Sequence, residues 1–83
     1  MKPELTLIKH TLSVLKRIGP CGLAEEPLMT EIEVSAGRPL TSAVVRDHLA
    51  YCVDRGWLCS RRDMFERTVY WISDSGINTL AGM

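Results

Sequence analysis

The side chains able to carry chemistry in this chain are few, and most of them stand alone. The two histidines, His10 and His48, each lie in a helical pattern with no set of ligand-type residues sufficient for a metal around them, so both are expected at the surface or its boundary and no metal site is expected. The three cysteines, Cys21, Cys52 and Cys59, are odd in number and lack CxxC spacing, which argues against a disulfide framework or a structural zinc. Each is expected as a small core residue in a reducing compartment. No nucleophile motif and no glycine-rich phosphate loop is present, and Glu25-Glu26 fits the start of a helix better than acid–base catalysis. Neither an enzyme nor a cofactor is therefore expected. What remains is guanidinium chemistry, concentrated in RRDMFER, residues 61–67, where Met64 and Phe65 stand among three arginines and two acids.

The distribution of charge is uneven although its sum is zero. Residues 25–33 hold four acids and no base, whereas residues 38–67 hold six arginines against Asp47, Asp54, Asp63 and Glu66. The asymmetry has the sign that would favour an anionic partner, and its size is small. A length of 83 residues sets one domain, residues 1–83, because a chain this short can bury only one modest core. The hydrophobic fraction of 46% is that of a globular protein. No apolar run approaches the ~18 residues that a membrane crossing needs, and the first residues show no secretion signal, so a cytoplasmic location is expected.

The elements that must position these arginines follow from periodicity. Leu5, Ile8, Leu12, Leu15 and Ile18 recur at three and four residues, an amphipathic helix that Gly19-Pro20 ends. A weaker helical pattern covers residues 25–35, with Pro27 in its first turn, Leu28, Met29 and Ile32 as its buried side, and Gly37-Arg38-Pro39 as its stop. Thr41 caps a third helix whose stripe is Val45, Leu49, Cys52 and Val53, and Gly56 closes it. The period then changes to two. Residues 57–62 and 67–72 form two strands joined by Asp63, Met64, Phe65 and Glu66. With Arg62 opposite Arg67, one face of the ribbon carries Trp57, Cys59, Tyr70 and Ile72, and the other Leu58, Ser60, Val69 and Trp71. Ser73 or Asp74 starts a last short helical turn that ends at Leu80.

The run VVRDHLAYCVDRGWL, residues 44–58, resembles the recognition helix and first wing strand of bacterial and phage winged helix-turn-helix regulators. Their pattern is an apolar residue followed by others at plus four and plus seven, a glycine at plus eleven and a hydrophobic pair behind it. Val45, Leu49, Cys52, Gly56, Trp57 and Leu58 stand at those positions. YWISDSGINTL, residues 70–80, is similar to the ending of the same group. The resemblance implies an α+β fold: a three-helix core, a two-stranded β-hairpin wing and a short C-terminal helix.

By that resemblance, double-stranded DNA is the partner. Thr41, Ser42, Ala43 and Arg46 match the base-reading positions of the third helix, and only Arg46 has the fork for a bidentate contact to guanine. Arg61, Arg62 and Arg67 match wing positions that act on phosphates or in the minor groove, and Arg38 matches a phosphate contact before the third helix. The second face of a two-stranded ribbon needs cover, so Leu58, Val69 and Trp71 are expected either beneath the first or last helix or in contact with another subunit or partner protein. Phe65 at the wing tip folds back on the ribbon, wedges at a minor groove or meets a partner. The competing reading is a winged-helix protein-interaction module that binds no DNA.

Overall fold

The structure, a computed structural model, describes residues 3–83. Its elements in chain order are α1 (Leu5–Ile18), β1 (Leu23–Ala24), α2 (Glu25–Ala36), α3 (Ser42–Asp54), β2 (Leu58–Arg62), β3 (Thr68–Ile72) and α4 (Asp74–Ala81). α1 is the centre of the core and packs against α2, α3, α4 and β3. That position explains why its buried arc is wider than the sequence pattern. The expected stripe supplies one row, Ile8, Leu12 and Leu15, and a second row, Leu7, Thr11 and Val14, is buried beside it. Leu5 and Ile18, expected in the stripe, are the first and last residues of α1 and are exposed. Thr11 enters the core because its hydroxyl donates to the Leu7 carbonyl at 2.9 Å.

α2 contributes Leu28 and Ile32 to the core, with Met29 half-buried against it. α3 contributes Val45, Leu49 and Cys52. Thr41 caps α3 as expected, its hydroxyl accepting from the Val44 N–H at 3.2 Å, a contact worth about 1 kcal/mol. Beyond α3, Gly56 takes φ 78°, a left-handed turn that lets the chain reverse into the wing.

Three expectations about single residues are corrected. His48 is buried rather than at the surface: its Nδ1 meets the Val44 carbonyl at 2.8 Å and its Nε2 accepts from the Glu4 N–H at 3.1 Å. The ring thereby ties the entry of α1 to α3, and both of its nitrogens are satisfied. Cys21 is exposed and Cys59 is only half-buried, because the first lies in the turn after α1 and the second on a sheet face turned from the core. Only Cys52 fits the core reading, and burial pushes its thiol up to about 11.

The sheet differs from the expected ribbon in two ways. Leu23 and Ala24 add a third strand, pairing antiparallel with Tyr70 and Val69, so β3 is central in the order β1-β3-β2. The hairpin register is also shifted by one residue, with Leu58 opposite Ile72, Cys59 opposite Trp71 and Arg62 opposite Thr68. The turn is the cause. Asp63 and Arg67 form the closing pair, the Asp63 N–H donating to the Arg67 carbonyl at 2.9 Å, and the Glu66 N–H donates back to the Asp63 carbonyl at 3.0 Å. Glu66 takes φ 60° in the left-handed region, so the connection is a three-residue loop with a bulge rather than a four-residue one. A shift of one residue exchanges partners across the faces. Leu58, Tyr70 and Ile72 now face the core, and Cys59, Arg61, Val69 and Trp71 share the outer face. Leu58 is buried within this chain, which removes it from any interface with a partner.

Candidate nucleic-acid interface

The helix-turn-helix pair is α2, the turn of residues 37–41, and α3. Gly37 closes α2 in the left-handed region, and its N–H donates to the Glu33 and Val34 carbonyls. The chain then leaves α2 directly into the Thr41 cap. Because Val45, His48, Leu49 and Cys52 face inward, the opposite side of α3 is solvent-facing, and Ser42, Ala43, Arg46, Asp47 and Ala50 are all exposed. Thr41, at the cap, is exposed as well. The four positions matched to base reading therefore lie together on the free first turns of one helix.

The arginines are placed differently from one another. Arg62 and Arg61 end β2 on opposite faces of the sheet. The Arg61 guanidinium stands 5.9 Å from the centre of the Trp71 ring on the outer face. Arg67, at the tip, stacks 5.2 Å from the Phe65 ring centre and bonds through Nε to Asp63 at 3.1 Å. Phe65 and Met64 stay exposed, and for Phe65 the guanidinium over its ring stands in place of core packing. Arg38 pairs with Glu4 at 2.9 Å, and Arg46 pairs with Glu25 at 3.1 Å. Three of the five arginines singled out in the sequence are thus held by carboxylates within the chain; Arg38–Glu4, exposed on both sides, is the kind of pair that water and salt weaken readily, whereas Glu25 and Asp63 are the more covered partners of theirs.

The first turn of α2 lies between the two halves of this surface. Glu25 and Glu26 line a cleft with Met29, Ser42, Val45 and Arg46 on the α3 side, and a second cleft with Ala24, Pro27, Glu66, Arg67 and Thr68 on the wing side. Tyr70 of β3 belongs to the same neighbourhood. Burial pushes its hydroxyl above the ordinary range, the Glu25 carboxylate adds to that, and the Arg46 guanidinium opposes it. The sequence pattern gives Glu25 only a place at a helix start. The signal that it also serves Arg46 is not in the sequence, because the two are 21 residues apart. Asp63, by contrast, stands four residues before Arg67, a spacing at which a pair is visible in principle.

Among the described residues, no group of His, Cys, Asp and Glu is arranged to hold a metal ion, and no helix is long and apolar enough to cross a membrane. Set against known proteins, the sequence matches no family model and no curated protein. Its fold does match solved structures. F93 from STIV, named as a winged-helix DNA-binding protein, superposes with a TM-score of 0.83 at 17% identity, covering 98% of this chain and 86% of F93. TA0346 of Thermoplasma acidophilum, named as a candidate transcriptional regulator, gives a TM-score of 0.71 at 24% identity over 95% of this chain and 81% of its own. A mutant of S. aureus MepR bound to an oligodeoxyribonucleotide gives 0.69 at 21% identity, covering 90% of this chain. The chain spans about half the length of MepR, 51%. Helix order, the exposed α3, the hairpin wing and these superpositions agree, and the chain has the winged-helix fold.

Proposed function

We propose that this protein is a DNA-binding transcriptional regulator of prokaryotic or phage type, with α3 in the major groove and the wing on the backbone or in the minor groove. The observation that carries the reading is the exposed first half of α3, where Thr41, Ser42, Ala43 and Arg46 stand free of the core while Val45 and Leu49 anchor the helix behind them. The neighbours support it as well: F93 is named as DNA-binding, and MepR is seen with an oligodeoxyribonucleotide. In this reading Arg46 reads guanine, and Arg38, Arg61, Arg62 and Arg67 contact phosphates. Each carboxylate partner of Arg38 and Arg67 yields its place to a phosphate on binding.

A fluorescence-anisotropy titration with mixed-sequence duplex tests the proposal. About four phosphate contacts imply an affinity that falls on the order of 100-fold between roughly 0.05 and 0.2 M salt. Arg61→Ala with Arg62→Ala weakens binding to all duplexes alike, whereas Arg46→Ala alters sequence preference. Absence of binding at tens of micromolar protein in low salt would end this reading. It would favour a protein-interaction module, the alternative suggested by the acids on the same surface, Glu25 and Glu26 beside the clefts and Asp47 and Asp54 along α3.

A further inference from the structure

We infer that Glu25 is a specificity-determining positioning residue, which aims Arg46 at a guanine. The inference rests on the DNA-reading function proposed above and assigns to α2 a part in it. The geometry of the pair is the starting point. Glu25 Oε1 accepts from Arg46 Nε at 3.1 Å, and among the described residues no other hydrogen bond engages the Arg46 side chain. A guanidinium held by Nε still presents both terminal nitrogens, and those are the two donors that match guanine O6 and N7. The bond therefore orients the fork without occupying it.

The two partners differ in freedom. The Arg46 side chain is 65% exposed, and Glu25 only 28%, since it sits in the first turn of α2 beside Tyr70 of the central strand. An unsupported arginine of that exposure would lose much rotamer freedom on meeting a base edge. Held from the less mobile side, it meets the groove already oriented. Glu25 also repels phosphates, so it lowers affinity for every duplex while sharpening the choice among them. Glu26, next to it, shares the second effect alone: it repels phosphates from the same clefts, and the bond to Arg46 belongs to Glu25.

This difference between neighbouring acids makes the test. The wild-type protein selects duplexes from a randomised pool, and anisotropy then gives Kd for the selected duplex and for a scrambled copy, and their scrambled-to-selected ratio, for wild type and four variants. Glu26→Gln is expected to tighten both Kd values and leave their ratio unchanged. Glu25→Gln, whose amide oxygen still accepts from Nε, tightens both and keeps the ratio. Glu25→Ala tightens the scrambled duplex and lowers the ratio about fivefold or more. Glu25→Asp keeps the negative charge at the start of α2 but shortens the reach, and it lowers the ratio without the general tightening. A ratio within twofold of wild type in both Glu25→Ala and Glu25→Asp, with melting curves unchanged, overturns the inference while leaving DNA binding in place. A wild-type protein that binds neither duplex overturns both.

Discussion

Asp63 shows how one side chain shapes the wing. Its Oδ1 accepts from the Phe65 N–H at 2.8 Å and the Arg67 N–H at 2.9 Å, and its Oδ2 from Arg67 Nε at 3.1 Å. The Arg67 N–H does most to hold the carboxyl below its ordinary value of 3.8; partial desolvation opposes it, and the Phe65 N–H and the Arg67 guanidinium lower it further. A carboxyl whose folded value is depressed stabilises the tip fully above its unfolded value, and that contribution is lost as pH falls through the lower folded value. An NMR titration of the Phe65 and Arg67 amides is therefore expected to give a midpoint below 3.8. Asp63→Asn should remove that step, and a midpoint at or above the ordinary value would mean that the bonds are not made in solution. At the same scale, His48 shows a polar group made compatible with the core by two bonds to backbone groups, one on its own helix and one at the entry of α1.

Among the elements, the joint between wing and α4 is the most constrained by backbone. The Ser73 N–H donates to the Trp57 carbonyl at 3.0 Å, and the Ser73 hydroxyl caps α4 by accepting from the Gly76 N–H at 3.0 Å. Gly76 is buried at this contact, and a Cβ there would overlap the Trp57 carbonyl oxygen and crowd Ile72. Gly76→Ala is expected to destabilise the protein by about 1–3 kcal/mol through overpacking. A thermal melt followed by circular dichroism should show a drop of several degrees, with Ser75→Ala, at an exposed position, leaving the midpoint unchanged. A Gly76→Ala protein that melts with wild type would show that α4 can shift away at no cost. The hairpin is governed by backbone in the same way. A glycine at the left-handed position would announce the bulge, but Glu66 stands there, and the pattern of residue types alone therefore sets the register one residue off.

At the scale of the molecule, zero net charge leaves only the small field of its uneven distribution, so recognition depends on where single arginines stand. The pairs Arg38–Glu4 and Arg46–Glu25 join residues far apart in the chain and lie across α1, α2 and α3. The outer sheet face remains. Val69 and Trp71 are half-buried there, outside the core cluster, with the Arg61 guanidinium over the indole. The expectation that this face meets a second copy is tested by light scattering, which should then give about twice 9.3 kDa. Val69→Glu should return the protein to the mass of a single chain; a wild type that already has that mass excludes the homodimer.

The pattern of residue types makes legible the helices, the cap at Thr41, the change of period after Gly56 and the winged-helix order, because each rests on local spacing or on a residue with one conformational use; it leaves the start of the last helix between Ser73 and Asp74, and the hydroxyl of Ser73 decides it. It did not determine the third strand, since Leu23-Ala24 is too short to show a period, nor the register, since one left-handed Glu decides it. Of the site, the positions on α3 and the wing were legible as positions. Which arginines are free and which are held was decided only by the tertiary structure, because Glu4 and Glu25 reach Arg38 and Arg46 across the packing of separate helices, a distance that no local pattern encodes.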